Sequence, residues 1–223
     1  MAGSFRAGTS GYSYNHWNGV FYPKGTKSAG RLAYYATRFN AVEINMTFYR
    51  LPSVEIVRRW CKAVGRDFLF VLKLNRQITH IRQLRDIAEP LSEFQRITEP
   101  FGNALGVVLA QLPPSLSYDA ELLATFATQA RKRWPLAIEF RNESWYREET
   151  YQTLRETGAA FVIHDMPGRP SPGRGYLGTR VPALPRDIAA LRRKLLGRDP
   201  DGLGGAHRPV VAGRAVGPGI LQQ

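Results

Sequence analysis

Cysteine is nearly missing from this chain. Cys61 stands alone among 223 residues, which excludes an internal disulfide and any thiolate-rich zinc site. It follows Trp60 in a helical pattern, so it reads as a packed structural thiol rather than a nucleophile. Long apolar runs are also missing. No stretch of about 18 apolar residues occurs, so no membrane span is expected. The opening Met1-Ala2-Gly3-Ser4-Phe5-Arg6 lacks the apolar centre of a secretory signal, and the expected location is the cytoplasm. There is no glycine-rich phosphate loop and no serine elbow. The carboxylates Glu43, Glu139 and Asp165 are not accompanied by a His-x-Glu or His-x-x-x-His spacing, so no metal is assigned and any cofactor is left unknown.

Acidic residues are scarce as well: 18 against 31 Lys and Arg, a net charge of +13. Such a surplus suits phosphate contacts with nucleic acid. Its placement argues otherwise, because residues 1–173 carry 22 basic and 15 acidic residues with no run of like charges. A solvated surface is the preferred reading, and nucleic acid is kept only as an alternative partner.

What the chain does have is enough apolar matter, 43% hydrophobic and 11% aromatic, for one α/β domain of the barrel class, which spans roughly 200–250 residues. Short apolar runs alternate with helical patterns, as in a parallel sheet wound with crossover helices. The strands are expected at Phe5–Ser10, Ala41–Asn45, Phe68–Leu74, Leu105–Leu112, Leu136–Arg141 and Ala159–Asp165. Val107-Val108-Leu109 and Phe161-Val162-Ile163 are apolar on both parities, as strands buried on both faces should be. Helices are expected over Ser28 to Phe39, after an N-cap at Ser53, over Asp119 to Trp134, and over Arg147 to Thr157 with Gly158 as the C′ residue.

Ligands of parallel α/β folds sit beyond the carboxyl ends of the strands. The polar residues at those ends are Thr9 and Ser10, then Glu43 and Asn45, Lys73, Gln111, Glu139 and Arg141, and finally His164 and Asp165. Charged groups ending apolar strands are costly unless paired or used. Two readings stay open for each. Glu43 with Lys73, and Glu139 with Arg141, are either ion pairs or parts of a site. Gln111, before Pro113-Pro114, either serves loop backbone groups or faces a ligand, and His80 either caps a helix or moves protons. Tyr12, Trp17, Phe21, Tyr22 and Tyr49 either stack on a ring of the ligand or, the preferred reading for the group, pack beneath the long first loop.

These residues stand in the motifs Gly8-Thr9-Ser10-Gly11-Tyr12, Trp17-Asn18-Gly19-Val20-Phe21-Tyr22-Pro23 and Val42-Glu43-Ile44-Asn45-Met46-Thr47-Phe48-Tyr49-Arg50. They are followed by Lys73, Ile78-Thr79-His80, Gln111-Leu112-Pro113-Pro114-Ser115, Ile138-Glu139-Phe140-Arg141 with Ser144-Trp145, and Asp165-Met166-Pro167. In this order and spacing the chain resembles the YecE-like family, domain of unknown function 72, over residues 4–173. The resemblance implies a TIM-like (β/α) barrel and carries no assigned activity.

The leading expectation is an enzyme on a small polar or anionic substrate, such as a sugar or phosphorylated compound. Glu43, Glu139, Lys73 and Asp165 are its catalytic candidates; Thr9, Ser10, Tyr12, Asn45, Tyr49, His80, Gln111 and Arg141 are its substrate contacts. The alternatives are a nucleic-acid-binding or processing barrel and a non-catalytic ligand-binding or scaffolding barrel.

After Gly173 the character changes. Only one of 25 aromatic residues, Tyr176, lies beyond it, against nine of 21 glycines. The family's motifs Tyr-Leu-Arg-Phe-His-Gly and Tyr-Phe-Asn-Asn-Asp do not occur there. Val181 to Arg186 can be encoded GTA CCT GCG CTT CCA CGG, and dropping one base yields Tyr-Leu-Arg-Phe-His-Gly. Ile220 to Gln223 with a stop can be encoded ATA CTT CAA CAA TGA, and the same shift yields Tyr-Phe-Asn-Asn. Residues 174–223 are therefore expected to be a frameshifted, poorly ordered tail. Residues 1–173 would then be a barrel truncated to about six strands, with activity lost in this copy.

Overall fold

The computed structural model describes residues 6–164 and Ser171. Asp165 and the expected tail at 174–223 lie outside the described residues. The strands are β1 (Ala41–Ile44), β2 (Leu69–Lys73), β3 (Leu105–Gln111), β4 (Leu136–Glu139) and β5 (Ala160–Phe161). They form one sheet in chain order, with every neighbouring pair parallel. The helices are α1 (Ser28–Ala36), α2 (Met46–Tyr49), α3 (Val54–Lys62), α4 (Ala88–Thr98), α5 (Ala120–Arg131) and α6 (Glu148–Thr157). Among the described residues no helix is long and apolar enough to cross a membrane.

Period-two alternation divides the sheet into two faces. Val42, Ile44, Phe70, Leu72, Val108, Ala110, Leu136 and Ile138 point to one face and join one large core with Leu32, Val57, Leu91, Leu123, Phe126 and Leu154 of the helices. Val71, Leu109 and Ala137 point the other way and form a separate small cluster, flanked by Val107, Ala160 and Val162. The helical core thus lies on one face, as a singly wound sheet requires.

Local sequence explains most element ends. The Ser53 hydroxyl accepts from Ile56 N at 3.4 Å, and Asp119 Oδ1 accepts from Leu122 N at 3.0 Å, capping α3 and α5. Gly158 ends α6 at φ 69°, left-handed backbone that glycine adopts without a Cβ penalty. Two segments follow less ordinary rules. Residues Gln77–Ile81 form a π-helical turn, and just after it Gln83, Leu84 and Asp86 hold φ of 48°, 68° and 51°. Left-handed non-glycine residues persist only where their surroundings determine them. Leu84 is anchored by burial, and its N–H donates to Ile78 O at 2.9 Å.

The expectation of six strands is corrected to five among the described residues. Residues 6–10 lie along the free edge of β1, but only Ser10 and Glu43 form a bridge. Glu43 N donates to Thr9 O at 3.0 Å and Gly11 N to Glu43 O at 2.8 Å. The rest of the ladder is diverted, because Ala7 N donates to Asn40 Oδ1 and Thr9 N to Tyr35 Oη, both at 2.7 Å. Gly8 is required there: a Cβ would lie 2.0 Å from Ala41 O. At the other end β5 stops at Phe161. Asn45 is not in a strand either; it precedes α2, a short helix that the strand-like alternation of residues 41–49 conceals. The helix α4 was likewise not expected, and Pro90 in its first turn is compatible with helix because the early N–H groups have no partner anyway.

Candidate functional site

Register brings the strand-end residues into one row. Glu43 sits beside Val71 and Lys73 beside Leu109, so Lys73 is the diagonal neighbour of Glu43 on the same face. Gln111 sits beside Glu139 and diagonal to Lys73. Glu43, Lys73, Gln111 and Glu139 therefore run across four strands at their carboxyl ends, directly above the apolar Val71, Leu109 and Ala137. Arg141 follows β4 with the same parity.

Each side chain has defined surroundings. Glu43 is 5% exposed. Its Oε1 accepts from Ser10 Oγ at 2.8 Å, and that hydroxyl accepts from Asn45 Nδ2 at 2.6 Å. Burial pushes the Glu43 carboxyl up to about 7, against the Ser10 bond and the Lys73 charge, which favour its ionised form; the nearby Glu139 adds to the rise and Arg141 opposes it. Glu139 is ion-paired with Arg141, the two side chains being 10% and 16% exposed, and its Oε1 accepts from Gln111 Nε2 at 3.1 Å. Of the two pairs left open by the sequence, Glu139 with Arg141 forms. Among the described residues Glu43 and Lys73 form no ion pair.

Lys73 rests its ammonium 4.6 Å from the centre of the Phe48 ring, a contact worth about 1 kcal/mol at such a half-exposed place. Burial lowers its proton affinity, while Glu43 and Glu139 favour the charged form. Thr47 Oγ1, which donates to Ile44 O at 2.9 Å, also lies 2.7 Å from Lys73 O, and Asn75 Nδ2 donates to Thr47 O at 3.0 Å, so α2 is fastened to the end of β2. His80 joins the rim from the π-helical turn. Its Nδ1 is 2.8 Å from Thr79 Oγ1 and its ring meets Phe48 edge-on at 4.9 Å. Burial, Lys73 and Arg76 together hold its pKa down.

Other expected contacts fall elsewhere. The Thr9 hydroxyl donates to Gly11 O at 2.6 Å and meets Tyr35 Oη at 2.9 Å. Tyr12 packs against the helical core beside Tyr35, and burial raises its pKa despite a bond with Trp60. Tyr49 is 68% exposed. Trp17, Phe21 and Tyr22 pack on one another and on Tyr34 and Tyr35, so these aromatics fill the space beneath the first loop. Cys61 is partly buried, its thiol 3.8 Å from Pro100 O and pushed up by burial, which suits the structural role.

Sequence reading passed over Phe48 and Tyr146. The Tyr146 hydroxyl lies 3.0 Å from Phe140 O and 3.1 Å from His164 Nε2, and its pKa is raised by burial and Glu139. Ser144-Trp145 drew attention to that segment, but no periodicity separates Tyr146 from packing aromatics. A cleft of about 440 Å³ between Leu84–Ala88 and α5 contains none of the strand-end residues. Among the described residues no group of three or more His, Cys, Asp or Glu is placed to hold a metal ion.

Fold and site together define a class: a parallel α/β protein with helices packed on one face of its sheet and a row of carboxylates and cations across the strand ends. Within that class the chain belongs to the YecE-like DUF72 family. The family model, described as protein of unknown function DUF72, matches residues 6–200, continuing past Gly173 where the motif match ends. The UPF0759 protein YunF of Bacillus subtilis (strain 168) is 29% identical over 186 residues, covering 77% of this chain and 64% of that protein. The UPF0759 protein YecE of Escherichia coli (strain K12) is 31% identical over 122 residues, covering 54% of this chain and 45% of that one. The chain thus spans less than two thirds of the length of these relatives. Among solved structures, a DUF72 family protein from Thermotoga maritima MSB8 superimposes with a TM-score of 0.64 at 35% identity, over 74% of this chain and 66% of that one. A DUF72 family protein from Enterococcus faecalis V583 gives 0.56 at 28% identity, over 66% and 64%.

Proposed function

We propose that this chain is part of a TIM-like (β/α) barrel enzyme acting on a small polar or anionic substrate, a sugar or phosphorylated compound. Glu43 and Glu139 are its acid and base, Lys73 and Arg141 face negative charge, and Ser10, Asn45, Gln111 and His80 orient the ligand. The single observation that carries the reading is the row itself, two carboxylates and two cations on the face not covered by the helical core. The two carboxylates have unlike surroundings, which is how acid and base roles separate on one scaffold. Chain-order strands with helical packing on one face are what a barrel sector looks like. Asp165, which follows β5 in the sequence and lies outside the described residues, belongs to the same proposal.

The C-terminal part of the proposal is that residues 174–223 are read in a shifted frame. Strands seven and eight would then be replaced, and their loops often hold substrate phosphate in such barrels, so turnover by this copy should be weak. The coding nucleotide sequence tests this part: a frame that meets a stop soon after Val181 removes it.

For the chemistry, a panel of phosphorylated sugars and sugar acids is tested by thermal shift against the chain as it stands. A compound at 100 times its dissociation constant adds about 2.7 kcal/mol. A bound compound should be converted roughly 100-fold more slowly by Glu43→Gln, as expected for loss of a general acid or base. Conversion of a bound compound unchanged in both Glu43→Gln and Glu139→Gln overturns the reading.

A further inference from the structure

Lys73 is set apart from every other cation of the row. Arg141 is committed to Glu139, whereas Lys73 makes no side-chain hydrogen bond or ion pair among the described residues, and its amine lies against a phenyl face instead. The side chain is half-buried. The low-polarity floor of Val71 and Leu109 disfavours a strongly hydrated ammonium, and among the described residues no carboxylate is ion-paired with Lys73 to restore the charge; the Phe48 face favours the ammonium by only about 1 kcal/mol. A lysine used as a nucleophile gains from this placement, since only the uncharged amine has a lone pair to donate.

We propose that Lys73 is an amine nucleophile that forms an imine with a carbonyl substrate, an aldehyde or ketone, with Glu43 as the proton carrier for that step. The proposal rests on the enzyme reading above and narrows its substrate to carbonyl compounds. The Nζ lone pair adds to the carbonyl carbon, and the C=O π pair moves to oxygen, which takes a proton from the Glu43 carboxyl. The nitrogen of the resulting carbinolamine returns one proton to the Glu43 carboxylate. The hydroxyl, protonated in turn by Glu43, leaves as water while the nitrogen lone pair forms the C=N bond. One amine, one carbonyl and one carboxyl group give one protonated imine, one water and one carboxylate, with no oxidant or reductant required. The geometry suits it: Glu43 is the diagonal neighbour of Lys73 on one face, and it sits at the midpoint of its own titration near neutral pH. Burial shifts Lys73 in the same useful direction, toward the free amine.

The test uses the chain as it stands, with glycolaldehyde as the probe and cyanoborohydride to reduce any imine at pH 7. The probe is small enough to need no dedicated binding pocket. Reduction fixes the adduct on Nζ and blocks tryptic cleavage after Lys73, so modification is read on the peptide Asp67–Arg76. Lys24, Lys27, Lys62 and Lys132 are exposed and serve as internal controls. Lys73 should be modified at least tenfold faster than each of them, and the rate should level off at a lower pH than theirs. Modification at or below the control rate overturns the amine assignment, and it does so without any variant that has to fold. Glu43→Gln separates this proposal from the one beneath it. Fast labelling of Lys73 that Glu43→Gln leaves unchanged keeps the amine assignment and removes Glu43 as the proton carrier. Slow labelling of Lys73, in a chain whose conversion of a bound phosphorylated sugar falls in Glu43→Gln, removes the amine assignment and keeps the acid–base reading.

Discussion

Glu43 and Glu139 close the same row of side chains from its two ends, with β2 and β3 between them, and both are nearly buried. They differ in what replaces water. Glu139 has a guanidinium and an amide, Arg141 and Gln111. Glu43 has a single hydroxyl, that of Ser10, itself backed by Asn45. A buried carboxylate with its own cation is a fixed ion pair, and removing the cation strands a charge. A buried carboxyl with only a neutral donor exchanges its proton near neutrality. Equal burial of equal side chains therefore yields two kinds of chemical group, and the partner decides which.

The comparison is broken most directly at Arg141. Arg141→Met should destabilise the chain by about 3–5 kcal/mol at pH 7, because Glu139 is left buried without its partner. Urea unfolding measures it, and a loss below about 1 kcal/mol would mean that water reaches Glu139 freely.

Glu43→Gln should act in the opposite sense. The folded pKa of Glu43, about 7, lies above the 4.5 of an ordinary glutamate. Between those values the native state binds more protons than the unfolded state, so stability falls as pH rises through that window and is level above it. The difference amounts to about 3 kcal/mol at 1.36 kcal/mol per unit. Relative to the wild-type chain, the glutamine variant should therefore gain stability from pH 4.5 to pH 8. Denaturation of both at the two pH values checks this, and a constant difference would show that Glu43 does not titrate in that range.

Ser10→Ala sharpens the same point. Its hydroxyl favours the ionised form of Glu43, so its removal should move the Glu43 midpoint upward from about 7 by roughly half to one unit, the worth of a hydrogen bond of about 1 kcal/mol. Carbon-13 NMR of the Glu43 carboxyl reads that midpoint, and a downward shift would contradict the arrangement. The smallest effect is expected off the row. Asp119→Ala removes the cap of α5 and should lower stability by about 1 kcal/mol, with the Glu43 midpoint unmoved.

Much of this was legible beforehand. The cap at Ser53 and the left-handed Gly158 are local rules, and each stands where expected; Asp119, expected only as the start of its helix, is its N-cap. Four of the expected strands appear as β1 to β4, each one or two residues shorter, and β5 keeps two residues of its expected run. The first strand failed because tertiary partners, Tyr35 and Asn40, took the N–H groups that a ladder would have used. The helix α2 failed as an expectation because Met46-Thr47-Phe48-Tyr49 continues the alternation of β1, and Asn45 at its N-cap makes no side-chain cap hydrogen bond. Tyr49 was a reasonable stacking candidate by type, yet it lies on the surface, since its neighbour Phe48 took the inward position beside Lys73.

Residue order alone determined which side chains end the strands and that Glu43, Lys73, Gln111 and Glu139 would share an end. Alternation of period two and parallel winding are properties of the chain itself. Which carboxylate meets which cation was decided only in three dimensions. Pairing depends on the register between strands and on the rotamers that packing allows, and proton affinity depends on what excludes water. Arg141, just past β4, turned to Glu139 at the end of that strand, Ser10 was brought 33 positions along the chain to Glu43, and Phe48 was laid against Lys73. No local pattern encodes the last two contacts, because each joins residues whose distance is set by the fold; the first joins residues two apart, and the fold decided only that the pair forms.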